Sequence, residues 1–210
     1  LYGALHGIYG LMQEQCIDLS KQTPYTIKGL IHTPGAALGS IRYKIQQADY
    51  EHIIAILEKY NIRYFFYAGG NDSMDTASKV SAFAKDRGYE LTTIGIPKTI
   101  DNDLPFTDHC PGYGSAAKYL AITTCEVWLD TSDLPTTKVV LLETMGRNTG
   151  WLAGATALAK KASTDGPHLI YLPEIPFSAN QFITDVESAI SSYGSALVVV
   201  SEGIAGENGS

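Results

Sequence analysis

Long apolar runs are missing from this chain of 210 residues; none approaches the roughly 20 consecutive apolar residues that a membrane-spanning helix needs. Basic residues are scarce as well. Lysine and arginine number 15 against 22 aspartates and glutamates, a formal charge of -7. That balance argues against a nucleic-acid partner, whose phosphates draw a basic face. Only three cysteines occur, Cys16, Cys110 and Cys125, widely spaced and without a CxxC pair. No zinc site is implied, and reduced thiols are the expectation. The five histidines, His6, His32, His52, His109 and His168, fall in no HxxxH or HxH spacing, so catalysis is assigned to none of them. With no signal-peptide pattern at its start, the chain reads as a cytoplasmic protein.

What is present is enough apolar material for a sizeable core: 45% hydrophobic residues with 18% charged. Apolar runs of strand length recur at Tyr64 to Tyr67, Leu91 to Ile96, Lys138 to Leu142, His168 to Tyr171 and Ala196 to Val200. Their hydrophobicity is continuous rather than alternating, the pattern of parallel strands buried on both faces. Between them lie helical stripes, Tyr50, Ile53, Ile54 and Leu57 in one and Phe182, Val186 and Ile190 in another, the latter opened by a capping-box pattern at Ser178 and Gln181. A β-α-β-α series of this kind predicts an α/β fold, doubly wound, with mostly parallel sheets, helices on both faces and two Rossmann-like domains.

A turn-rich patch, Leu104-Pro105-Phe106 and Pro111-Gly112-Tyr113-Gly114, precedes a helical pattern from about Ser115 to Leu129. It predicts a boundary between residues 1–113 and 114–210. Both ends are expected to be incomplete, since the chain opens without Met at Leu1 and stops just after a strand, in Ser201-Glu202-Gly203.

Chemistry concentrates in loops that follow strands, where open α/β sheets place ligands. Pro97-Lys98-Thr99-Ile100-Asp101-Asn102-Asp103 packs one cation and two carboxylates into a short loop. Asp101 and Asp103, two apart, can point to one side of an extended loop, one deprotonating a hydroxyl and the other holding Mg2+ or its waters. Lys98 can neutralise phosphate oxygens. An Asx-turn with a surface lysine accounts for the same residues without function.

Gly69-Gly70-Asn71-Asp72-Ser73 makes a strand, glycine loop and helix, in which main-chain N–H groups can approach a phosphate. A tight turn capped by Asn71 is the alternative. Asp72 stands out, because a carboxylate beside a phosphate cradle repels the ligand unless a metal intervenes or repulsion is its purpose. Met145-Gly146-Arg147 offers main-chain access and a planar guanidinium fork. Pro173-Glu174-Ile175 places a strand-end carboxylate where sugar hydroxyls can be bound, and Arg42 lies in a glycine loop.

In order and spacing, the 69–73 loop, the 97–103 heptapeptide, Met145-Gly146-Arg147 and Pro173-Glu174-Ile175 resemble the phosphofructokinase superfamily along essentially the whole chain. Gly112-Tyr113-Gly114-Ser115-Ala116-Ala117-Lys118-Tyr119 is similar to its bacterial pyrophosphate-dependent branch. The resemblance implies phosphoryl transfer to the 1-hydroxyl of fructose 6-phosphate, with Mg2+ as cofactor and a homodimer or homotetramer as the assembly. Asp101 would be the base, with Thr99, Ile100 and Asp103 beside it. Met145, Gly146, Arg147 and Glu174 would line the sugar phosphate, and Arg42, Gly69, Gly70 and Ser73 would hold the donor.

Asp72 and Lys98 stand where ATP-using relatives carry glycine, which implies pyrophosphate rather than ATP as donor. An ATP-dependent enzyme and a catalytically silent regulatory subunit are the rival readings. Two positions depart from the family pattern. Asn71 replaces an aspartate that often binds magnesium, leaving its role as a ligand open alongside Asp103. Lys138 replaces an arginine that in some ATP-using relatives reaches a neighbouring subunit's sugar phosphate.

Overall fold

The computed structural model describes residues 1–206. The chain divides into two compact units, Leu1–Pro97 and Lys98–Ser210. This division lies ahead of the Tyr113–Gly114 position read from the turn-rich patch. The reason is that residues 98–112 are tied to the second unit: Asp101 accepts a hydrogen bond from Thr149, and Ile100 packs close beneath the left-handed main chain of Gly112.

In the first unit, strands β1 (Tyr2–Ala4) and β2 (Cys16–Asp18) pair antiparallel around helix α1 (Gly7–Met12). A short helix α2 (Pro24–Gly29) follows, its first turn capped by the Thr23 hydroxyl. Helix α3 (Gln47–Lys59) begins where Asp49 accepts the Gln46 N–H at 2.7 Å, and buries the stripe Tyr50, Ile53, Ile54 and Leu57 anticipated from its period.

Strand β3 (Tyr64–Gly69), helix α4 (Asn71–Asp86) and strand β4 (Thr92–Pro97) then form a parallel β-α-β unit. Ile53, Ile54, Leu57 and Val80 form the centre of its core, with Phe65 and Tyr67 packed against them. Neither strand is buried on both faces as the continuous runs predicted. Phe65 and Tyr67 face the helices, whereas Tyr64, Phe66, Ile94 and Ile96 on the opposite face are exposed, because α1, α3 and α4 gather on one side of a two-stranded sheet.

The second unit carries the long helix α5 (Tyr113–Asp133), strand β5 (Val139–Thr144), a short helix α6 (Trp151–Ala155), strand β6 (Leu169–Tyr171), helix α7 (Ala179–Tyr193) and strand β7 (Ala196–Ser201). Its sheet is parallel throughout, in the order β5-β7-β6. Only β7 is buried at every position, as befits a central strand with helices on both sides. Ala196, Val198 and Val200 pack on Val186 and Ala189 of α7, while α6 covers the other face. Ser178 caps α7 by accepting the Gln181 N–H, but Gln181 turns to Asp185 instead of completing a capping box. All five strand runs read from the sequence are strands, each within two residues of its anticipated start.

Candidate active site

Each unit presents its chemistry at the C-terminal end of its sheet. In the first, the register pairs Gly69 with Pro97, so the glycine loop and the heptapeptide leave the same end of β3 and β4. Asn71 opens α4 and does not cap it; the cap position falls to Gly70, without a side-chain bond. Asn71 and Asp72 are exposed in the first turn and Ser73 is half-buried. Arg42 is exposed in a stretch without helix or strand.

The second unit assembles a tighter constellation around Asp101. Its N–H donates to the Thr99 hydroxyl at 3.0 Å, and its carbonyl accepts from the Thr149 hydroxyl at 2.9 Å. The residue is buried, at 8% exposure. Burial pushes its carboxyl above the usual carboxylate range, and the charges of Asp103 and Glu202 push the same way; Arg147 pulls against them. Asp103 itself is exposed, as is Lys98, whereas Thr99 and Ile100 are half-buried.

The loop after β5 owes its shape to glycine and to two carboxylates. Gly146 has φ 148°, and a Cβ there would run into the Thr149 carbonyl. Arg147 has φ 48°, a left-handed conformation unusual for a side chain of its size. Glu202, at the end of β7, holds this turn: one of its oxygens accepts from both the Gly146 and Arg147 N–H groups at 3.1 Å. Gly203 must be glycine here, because a Cβ would land on the Arg147 carbonyl. At the other end of the loop Glu174 accepts the Gly150 N–H at 2.7 Å. Met145 and Arg147 are left exposed.

Thr99, Asp101, Asp103, Arg147 and Glu174 therefore sit on one connected set of loops. Lys138 does not join them. It precedes β5 at the opposite end of a strand about 20 Å long, where its Nζ donates to the Gly194 carbonyl at 3.3 Å. Sequence reasoning missed Thr149 and Glu202. The second follows β7 as Glu174 follows β6, and the same strand-end rule identifies it.

Among the described residues no group of three or more His, Cys, Asp or Glu side chains could hold a metal ion, and no helix is long and apolar enough to cross a membrane.

Comparison with known proteins places these features in a family. The phosphofructokinase family model matches residues 1–210. A pyrophosphate--fructose 6-phosphate 1-phosphotransferase of Halomonas elongata is 45% identical over 216 aligned residues, covering 100% of this chain and 52% of that protein. The protein of the same name from Xanthomonas campestris is 47% identical, over 96% of this chain and 50% of its own length. The crystal structure of a pyrophosphate-dependent phosphofructokinase from Marinobacter aquaeolei superimposes with a TM-score of 0.85 at 48% identity, covering 98% of this chain and 52% of that one. The chain thus spans about half the length of the relatives it matches. With the family model matched from end to end and a parallel α/β fold shared with these relatives, the chain belongs to the phosphofructokinase family.

Proposed function

We propose that the protein carrying this chain transfers a phosphoryl group from pyrophosphate to the 1-hydroxyl of fructose 6-phosphate, reversibly, yielding phosphate and fructose 1,6-bisphosphate. The observation that carries the reading is Asp101: a buried carboxyl with raised proton affinity, its main chain pinned on both sides. Such a group is a stronger base than a free aspartate, suited to removing the hydroxyl proton as oxygen attacks phosphorus. The bond to the departing phosphate breaks in the same transfer. Arg147, whose charge Asp101 feels, offers a guanidinium to the equatorial oxygens, and the loose transition state needs mainly such positioning and charge compensation.

In this reading Thr99, Ile100 and Asp103 flank the acceptor hydroxyl, and Met145, Gly146 and Glu174 line the sugar phosphate. Gly69, Gly70, Ser73 and Arg42 serve the donor. Lys138, remote from Arg147 along β5, contributes only to a neighbouring subunit's sugar phosphate, in a homodimer or homotetramer. Asp72 crowds and repels the phosphate by which a nucleotide would extend, and Lys98 compensates the departing phosphate. The relatives named as pyrophosphate-dependent support this donor.

Mg2+ takes hard oxygen ligands, usually one or two carboxylates together with substrate phosphates and water. Asp103 lies close enough to Asp101 to raise its proton affinity, a pairing of like charge that suits a dication. Asp103 fits the ion as a carboxylate ligand. When bound, Mg2+ neutralises pyrophosphate charge.

Assaying the full-length protein with each donor tests the proposal. Turnover with pyrophosphate and little with ATP is expected; strong turnover with ATP and none with pyrophosphate would sink the donor assignment, and D101S at wild-type rate would remove the base.

A further inference from the structure

Asn102 sits between the two aspartates and belongs to none of the roles above. It is buried, at 6% exposure, with φ 62°. Asparagine tolerates this left-handed conformation better than most residues. Its carboxamide is fully committed to the main chain of its own loop: Nδ2 donates to the Asp108 carbonyl at 3.2 Å, and Oδ1 accepts the Cys110 N–H at 2.8 Å. A flipped amide would set donor against donor and acceptor against acceptor, so the two bonds fix its orientation together. Residues 103–109 bulge outward from this neck, with Phe106 fully exposed and also at positive φ, while Cys110 is buried at 3% exposure.

We infer that Asn102 is a positioning residue for phosphoryl transfer: it clamps the neck of the 103–109 loop to the main chain of Asp108 and Cys110, holding Asp101 and Asp103 at their working separation. Thr99 and Thr149 fix the main chain on the N-terminal side and at the carbonyl of Asp101. Among the described residues, Asn102 is the side chain that does so on the side of Asp103. The carboxylate pair is then set by one neutral side chain that never touches substrate. The charged groups that act on Asp101 are Asp103, Arg147 and Glu202, and only the first lies on this loop.

The inference rests on Asp101 being the base, and the test separates the two. N102G accepts the left-handed main chain but has no clamp. In the full-length protein it should lower kcat on the order of 10- to 100-fold and leave KM for fructose 6-phosphate within about threefold. N102D keeps the acceptor for Cys110 but, ionised, has no proton to donate to Asp108, so its kcat should fall as well.

Wild-type kcat in N102G would overturn the inference. Should N102G fail to fold, wild-type kcat in N102D overturns it instead. Amide exchange at Cys110 gives a readout without turnover. If the wild type transfers no phosphoryl group, the functional reading falls, and faster exchange in N102G still upholds the clamp, whereas unchanged exchange removes it.

Discussion

The hydroxyl of Thr149 donates to the main-chain carbonyl of Asp101 at 2.9 Å, joining the loop after β5 to the heptapeptide that follows β4. The same hydroxyl lies 3.2 Å from the Gly146 carbonyl, so it also closes the turn that presents Arg147. Base and cation are thereby referred to a single side chain. T149V keeps the shape and removes the donor, leaving a partly buried carbonyl unpaired; this costs about 1–2 kcal/mol. If that cost falls on the arrangement in the transition state, kcat drops about 10-fold with a smaller change in KM. Steady-state kinetics of the variant beside a thermal melt will read it, and an unchanged kcat would show that the link is only structural.

Glu202 should matter through two amides rather than through contact with Asp101. E202A frees the Gly146 and Arg147 N–H groups, and Arg147 loses the support for its left-handed main chain. Charged acceptors of this kind are worth about 1.5–3 kcal/mol. A rise of 10-fold or more in KM for fructose 6-phosphate is expected at roughly that cost, with E202Q intermediate because its carbonyl still accepts. Both variants also lift a negative charge from the neighbourhood of Asp101, so the acid limb of kcat/KM should move to lower pH.

Asp101 should limit activity on the acid side and depress stability at neutral pH. Its folded proton affinity exceeds the unfolded one, so the folded state holds the extra proton. Stability contributed by this group is present below the usual aspartate range and is lost as pH rises through the elevated value. D101N should therefore melt higher than wild type at neutral pH while losing activity on the order of 100- to 10,000-fold. D103N should shift the acid limb down and R147L should shift it up, because these charges act on Asp101 in opposite directions. A common direction for both would show that neither acts through Asp101.

His168 predicts a pH effect remote from the chemistry. Its Nδ1 accepts the Leu197 N–H at 3.0 Å, its ring stacks on Tyr193, and Trp128 meets it edge-on. Burial holds its pKa below the usual histidine value. The unfolded chain then binds the proton more readily, so stability is full above about pH 6.5 and declines as pH falls below it toward the lower folded value. Urea unfolding at pH 7.5 and 5.5 should show the decline in wild type. H168Q, which cannot titrate, should flatten it.

The parts legible in the sequence are those governed by local pattern. Apolar runs gave strands, and a turn or glycine loop after each gave the edge where Asp101, Arg147 and Glu174 reside. What escaped depends on contacts distant in sequence. Glu202 reaches back to Gly146 across the β5-β7 pairing, and Thr149 reaches Asp101 from another loop. No periodicity reports either bond. Burial was overestimated for β3 and β4 because a continuous apolar run does not say whether helices cover one face or two. The compact units divide ahead of the turn-rich patch for a related reason: turn residues mark where the chain bends, whereas the 98–112 loop is bonded to the second unit.

Donor choice is the prediction that most directly separates the proposed activity from that of an ATP-dependent relative. Asp72 lies in the first turn of α4, where the positive end of the helix dipole and free N–H groups would otherwise favour an anion. A carboxylate there occupies the charge such a site offers, so an added nucleotide phosphate meets repulsion in place of attraction. D72G should restore the cradle, and K98G should remove the cation suited to a free phosphate leaving group. Together they should raise kcat/KM for ATP and lower it for pyrophosphate, each by 10-fold or more if a charge interaction of about 1.4 kcal/mol or greater is exchanged at each position. D72G alone should admit ATP without abolishing pyrophosphate use. Parallel loss of both donors in D72G would instead mean that Asp72 supports the loop rather than selecting what binds there.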